Sequence, residues 1–211
     1  MKYSHILWDF NGTILNDVDI GIEAINVLLA AEGLPLLTDR ETYREKFCFP
    51  IEEYYRNVGL DFSKTPYSVY AHRWIDEYRA REKTAPLCEG AREALEYIKA
   101  LQIPQILFSA TEKEMLTQQV SALGIADYFE TVLGADNVYA EGKIPIGKRW
   151  IASVRPRKAL LIGDTEHDAL AAAEMGVDCV LIANGHRAPE QLRRTGRPVY
   201  PDLFRFMDEM K

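Results

Sequence analysis

Cysteine is scarce in this chain: Cys48, Cys88 and Cys179 are the only three among 211 residues. They are scattered, odd in number and without metal-ligand spacing. That excludes a disulfide framework and predicts idle thiols in a reducing compartment. No apolar run approaches the roughly 20 residues needed to cross a bilayer. Lys2 is followed by Asp9 before a signal-peptide core could form, so the expected location is the cytoplasm. Positive charge is also in short supply, with 25 Lys and Arg against 32 Asp and Glu and a net charge of −7. A nucleic-acid surface or an anionic membrane is therefore not expected as a partner. A small phosphorylated substrate remains compatible, since a few backbone amides, one lysine and a metal can hold phosphate locally. Repeats and low-complexity segments are absent, and oligomeric state is not legible.

What is present starts with residues 5–17, HILWDFNGTILND. The apolar run Ile6-Leu7-Trp8 ends on Asp9, and Asn11-Gly12 and Thr13 follow at once. A short apolar run that stops on a carboxylate predicts a buried strand with chemistry at its carboxyl end. Asn-Gly equally permits a β-hairpin. Two later stretches share the first design. Gln105-Ile106-Leu107-Phe108 ends on Ser109-Ala110-Thr111, and Ala159-Leu160-Leu161-Ile162 ends on Gly163-Asp164. A fourth strand is expected at Cys179–Ala183, before Asn184-Gly185-His186, and a short one within Tyr128–Gly134.

Helical patterns fill the intervals. A stripe of Val18, Ile22, Ile25, Leu28 and Leu29 follows Asn16-Asp17, which open the helix; Gly33 ends it. Further helices are expected near 41–47, 51–57 and 66–81, where tyrosines crowd, either as packing between short helices or as a pocket lining. Thr111 with Glu114 reads as a capping box for the helix after Ser109. Another helix begins near Pro145, and two short ones fill the tail. Alternating strands and helices predict an α/β fold, a doubly wound parallel sheet. Residues 1–16 and 84–211 would form that core, and 17–83 a small all-helical cap domain.

These residues resemble the haloacid dehalogenase-like (HAD) superfamily of hydrolases, in the branch similar to phosphoglycolate phosphatase. Its motifs occur in order: Asp9-Phe10-Asn11-Gly12-Thr13, Ser109, a lysine, then Gly163-Asp164 with Asp168 four residues on. The resemblance implies that Asp9 is a nucleophile forming an aspartyl phosphate. It implies Mg2+ held by Asp9, Asp164 and the Asn11 backbone carbonyl, with Asp168 in support. The alternative for Asp168 is a partner for Thr165 at a helix start. Ser109 and the Ala110 amide would hold phosphate at a helix N-terminus. Lys143, after Gly142, is favoured over Lys148 as the motif lysine, offsetting charge between nucleophile and phosphoryl group. His167 and His186 are expected to be structural, and Tyr54, Arg44 and Arg56 are candidates for substrate selection.

One position departs from the family pattern. Asn11 stands where HAD phosphatases usually carry the aspartate that protonates the leaving alcohol and then activates water. An amide can do neither near neutral pH. Losing a general acid–base costs about 10²- to 10⁴-fold in rate. The expected activity is therefore phosphatase-type hydrolysis of a small phosphorylated metabolite, slow on alkyl phosphates and better with acyl or aryl leaving groups. The alternatives are a non-catalytic binder of a phosphorylated ligand and a phosphonatase-like C–P hydrolase. The latter uses a cap lysine, for which Lys46 and Lys64 are the candidates in the cap, whereas the aligned position falls near Pro50. A haloacid dehalogenase is a weaker match, because its last motif lacks the paired acids.

Overall fold

A computed structural model describes residues 2–135 and 143–210. Six strands form one sheet: β1 (His5–Trp8), β2 (Gln105–Glu112), β3 (Thr131–Ala135), β4 (Ala159–Gly163), β5 (Asp178–Ile182) and β6 (Val199–Tyr200). Their order is β3-β2-β1-β4-β5-β6, and every pairing is parallel. β1 is therefore a central strand, and the hairpin that Asn11-Gly12 permitted does not form. The apolar runs alternate between two faces, as period-2 side chains must. Ile6, Trp8, Leu107 and Ile162 enter one core; Leu7, Ile106, Phe108 and Leu161 enter the other.

Helices cover both faces. α1 (Val18–Ala31), α2 (Arg40–Lys46), α3 (Ile51–Asn57) and α4 (Tyr67–Arg81) lie between β1 and β2 in the chain, followed by α5 (Ala91–Ala100). α6 (Lys113–Ala122) follows β2, α7 (Ile144–Val154) follows β3, and α8 (Glu166–Met175) follows β4. α9 (Pro189–Arg193) and α10 (Leu203–Met210) flank β6. Side chains of α5, α6 and α10 pack on the Ile6–Trp8 face, and those of α7, α8 and α9 on the Leu7 face. α1 to α4 build an apolar cluster of their own around Val18, Leu29, Tyr43, Tyr55 and Tyr70. Tyrosine serves both expected roles there, since Tyr43, Tyr54 and Tyr55 are buried in that cluster and also line the cavity described below.

Two local expectations are corrected. The tail, expected to hold only two short helices, also holds a strand between them: Val199–Tyr200 pairs with Leu181–Ile182 at the sheet edge. Two residues are too few for any period to register. The second correction concerns the chain after Ser109. β2 does not end there but continues to Glu112, with an irregular register between Phe108 and Glu112. The helix begins only at Lys113, capped by the Glu112 carboxylate, which accepts from the Glu114 and Met115 amides. Thr111 is thus not the cap, and Ser109 and Ala110 sit on a bulged strand end rather than at a helix N-terminus. Bulges re-aim side chains in this way beside binding sites.

Candidate active site

Register brings the site together. Trp8 pairs with Leu107 on one side and Ile162 on the other. One residue further along, Asp9 stands level with Phe108 and Gly163, and its amide donates to Ile162 O (2.8 Å). Asp9, Ser109 and Asp164 therefore leave three adjacent strands at the same end of the sheet, where such sheets bind ligands. All three are buried, as are Lys143 and Asp168.

Carboxylate oxygens of Asp9, Asp164 and Asp168 lie within 4.8 Å of one another. The Lys143 ammonium donates to Asp9 Oδ1 and pairs with Asp168 Oδ1 at 2.5 Å. It also donates to Phe108 O (3.3 Å). Lys148, one turn into α7, points elsewhere and forms an exposed pair with Glu174. Gly142, the residue before the lysine in the motif, lies outside the described residues.

Both expectations for Asp168 hold together. Its Oδ2 accepts from the Asp164 and Thr165 amides and the Thr165 hydroxyl (3.2, 3.0 and 2.7 Å), while its Oδ1 holds Lys143. Asp164 is fixed by the Thr13 hydroxyl (3.3 Å) and the His186 amide (2.6 Å). A Cβ at Gly12 or Gly185 would collide with the Asp164 carboxylate. Gly12 also has φ of +74°, in the left-handed region where glycine is least strained.

Electrostatics follow from crowding acids out of water. Burial pushes Asp9 well above the usual carboxylate range, with Lys143 pulling against it. Burial likewise raises Asp164, to about 6, against the pull of His186. Against burial, Lys143 and Thr165 hold Asp168 below its ordinary value. Burial opposes a charged Lys143 too, but Asp168 and Asp9 outweigh it and raise its pKa. Asp9 and Asp164 thus form a hard, all-oxygen pair short of positive charge. That donor set suits Mg2+, which takes one or two carboxylates and leaves its other positions to water and phosphate.

Several site residues escaped sequence reasoning. Asp17, placed in the sequence as a helix opener, makes no side-chain cap bond to α1. Its Oδ2 instead accepts from Asn11 Nδ2 (2.7 Å) and the Tyr78 hydroxyl (2.8 Å), and its Oδ1 from the Gly12 amide (3.0 Å). His186, expected to be structural, bridges the two halves of the site. Its Nε2 lies 3.2 Å from Asp17 Oδ1, and its Nδ1 shares a 2.7 Å hydrogen bond with the Tyr43 hydroxyl. Asn11 is fully engaged: Nδ2 also donates to Tyr78 Oη (3.0 Å), and Oδ1 accepts from Thr111 Oγ1 (2.8 Å). The sequence marks His186 only as lying four residues past the end of β5, and nothing local marks its contact with Asp17. Of the guessed selectivity residues, Tyr54 lines the cavity. Arg44 donates to the carbonyls of Asn184 and Gly185, and Arg56 pairs with Glu52 on the surface.

Burial alone would lower His186, but Asp17 outweighs it, and the imidazole is held up at about 8 against an ordinary 6.5. A group raised in the folded state stabilises fully below its unfolded pKa and loses that contribution as pH climbs through the folded one. With divalent ions chelated, the free energy of unfolding should drop by on the order of 2 kcal/mol between about pH 6.5 and 9. His186→Gln should flatten that slope. Urea titrations across the range check it, and a wild-type profile as flat as the variant's would sink it.

The comparisons agree with this geometry. The family model described as haloacid dehalogenase-like hydrolase matches residues 6–182. The chain is 28% identical over 191 residues to a phosphoglycolate phosphatase of Caulobacter vibrioides, covering 86% of this chain and 79% of that protein. It is 23% identical to a phosphoglycolate phosphatase of Yersinia pseudotuberculosis, covering 89% and 84% respectively. A solved haloacid dehalogenase-like family hydrolase from Streptococcus pneumoniae superposes with a TM-score of 0.85 at 20% identity, covering 100% of this chain and 99% of that one. CbbY from Rhodobacter sphaeroides, solved in complex with phosphate, does so with 0.68 at 20% identity, over 95% and 94%. Strand order, the buried Asp9, Ser109 and Asp164 at three strand ends and the match over residues 6–182 together make this chain a member of the haloacid dehalogenase-like hydrolase family.

Proposed function

We propose that this protein is a magnesium-dependent phosphohydrolase working in the cytoplasm, with Asp9 as nucleophile and a small phosphorylated substrate. The observation that carries this reading is the convergence of the Asp9, Asp164 and Asp168 carboxylates around one buried lysine. Relatives named phosphoglycolate phosphatase support phosphate-ester hydrolysis as the reaction class. Residues 17–83 act as a cap domain whose closure excludes water.

Asp9 and Asp164, with the Asn11 carbonyl, would hold Mg2+, which when bound supplies positive charge against the phosphoryl oxygens. Asp168 supports the set from behind, because both its oxygens are already engaged. Asp9 attacks phosphorus with a carboxylate oxygen pair, the bond to the leaving oxygen breaks, and its electron pair departs on that oxygen. Lys143 stabilises charge between Asp9 and the transferring group, and Ser109 with the Ala110 backbone steadies the phosphoryl oxygens. Asn11 neither donates a proton to the leaving group nor takes one from water. Water then attacks phosphorus, the Asp9–phosphorus bond breaks, and the water proton leaves with the phosphate product.

Because the second half-reaction lacks a base, the aspartyl phosphate should accumulate when the leaving group is good. Rapid mixing of excess 4-nitrophenyl phosphate with enzyme and Mg2+ should give a burst approaching one nitrophenolate per site. The steady rate that follows should be about 10²- to 10⁴-fold slower. Asp9→Asn should abolish the burst. No turnover of 4-nitrophenyl phosphate or acetyl phosphate, and no acid-stable label on Asp9, would leave only the binding role.

A further inference from the structure

The cavity above Asp9 has a volume of about 190 Å3, and its two halves differ in chemistry. The sheet side carries the acids, Lys143 and His186. The helical side is apolar and aromatic: Phe47, Phe49, Tyr54, Trp74 and Ile75 face it. Phe49 stacks on His167 at 4.5 Å and 23°, Trp74 stacks on Tyr78 at 5.0 Å and 23°, and Phe47 lies 5.1 Å from Tyr54. Paired ring faces of this kind accept another ring.

No unpaired cation among the described residues lines the cavity. Its basic lining residues among those described are Lys143, His186 and His167: the first two are already paired with carboxylates, and burial together with the Lys143 charge lowers the His167 pKa, which favours its neutral form. Of the nearby arginines, Arg44 is spent on two carbonyls, Arg187 on Glu166, and Arg79 lies within electrostatic reach of Glu112 and Glu82. Residues 136–142, Asp-Asn-Val-Tyr-Ala-Glu-Gly, contain no lysine or arginine. The rim instead adds Glu112. A carboxylate on the leaving group would have to shed water here with no free positive charge among the described residues to offset its own.

Two further observations narrow the ligand. The Tyr54 hydroxyl and Trp74 Nε1 are buried without a hydrogen-bond partner, and Tyr54 is only 2% exposed. A buried donor left unpaired is costly, so these two favour an acceptor on whatever fills the cavity. Asn11, meanwhile, supplies no proton, which favours a leaving oxygen stable as an anion. A phenol, ionising near pH ~10, meets that need far better than an aliphatic alcohol.

Resting on the phosphohydrolase reading above, we infer that the substrate is the phosphate monoester of an uncharged phenol carrying a hydrogen-bond acceptor, not a phosphorylated carboxylic acid. Asp9 forms a bond to phosphorus, the phosphorus–aryl oxygen bond breaks, and the electron pair leaves as phenolate without a proton. Water later releases phosphate from Asp9 and its proton departs with that product.

The test compares 4-acetylphenyl phosphate with 4-carboxyphenyl phosphate, alongside phosphoglycolate and acetyl phosphate. The acetyl ester should exceed the carboxyl ester at least tenfold in kcat/KM and exceed phosphoglycolate by more. Tyr54→Phe should raise KM for 4-acetylphenyl phosphate several-fold and leave that for phenyl phosphate, which has no acceptor, nearly unmoved. Ile75→Arg should shrink the preference over the carboxyl ester. Equal or better turnover of 4-carboxyphenyl phosphate or phosphoglycolate overturns the inference while leaving the hydrolase reading intact, provided acetyl phosphate is turned over. If nothing is turned over, the hydrolase reading fails. Calorimetry with the matching 4-acetylphenyl and 4-carboxyphenyl phosphonates then still decides the ligand class. Tenfold tighter binding of the acetyl compound supports it, and equal or weaker binding overturns it.

Discussion

Exchanging the amide and the carboxylate at positions 11 and 17 should create an alkyl phosphatase. In the double variant Asn11→Asp with Asp17→Asn, turnover of ethyl phosphate should rise by about 10²- to 10⁴-fold, the usual worth of a general acid–base. The geometry explains why both changes are needed. Asn11 Nδ2 sits 2.7 Å from Asp17 Oδ2. A lone Asn11→Asp would press two buried carboxylates together, and one of them would have to hold a proton. That single variant should gain less and lose stability. In the exchanged pair the hydrogen bond survives with its direction reversed, and the Thr111 hydroxyl can still donate to position 11. The new base should also activate water, so the nitrophenolate burst should vanish. Steady-state and rapid-mixing assays on ethyl and 4-nitrophenyl phosphate read both effects. Flat ethyl phosphate turnover in both variants would mean that the seat at position 11 does not serve acid–base chemistry in this chain.

Removing the charge of Lys143 should damage both folding and catalysis. Lys143→Met leaves Asp9 and Asp168 buried with no counterion, and breaking a buried pair from one side costs about 3–5 kcal/mol. Loss of a preorganised charge at the transferring group should lower kcat by about 10²- to 10³-fold. Lys148→Met, on the same helix, removes an ion pair whose side chains are 50% and 47% exposed, so its effect should stay within about 1 kcal/mol. Urea denaturation and aryl phosphate turnover of the two variants form the comparison. Equal losses would mean that Lys143 contributes no more than a surface charge.

The parts of the site legible in the sequence were those written locally. Asp9, Ser109 and Asp164 each close a short apolar run, and a parallel sheet gathers such ends without further information. Lys143 was chosen by its place before the helix. Asp17 and His186 were not legible, because their meaning lies in a contact across 169 positions of chain. An aspartate ahead of an apolar stripe looks like a helix cap until the fold brings a histidine to it. Thr111 was misread for the related reason that β2 outruns its apolar residues by four. No hydrophobic signal marks Ser109 to Glu112 as strand; the pairs Phe108–Leu133 and Glu112–Ala135 on either side of the irregular register tie the segment to β3.

The loop after β5 has a consequence for how the site opens. Arg44 of α2 grips the Asn184 and Gly185 carbonyls, and Arg187 reaches back to the Phe47 and Arg44 carbonyls. The same loop gives the His186 amide to Asp164. Lifting α2 would therefore drag on the loop that holds the Asp164 carboxylate in place. These bonds tie α2 and the loop after β5 to one another as a single clasp beside Asp164.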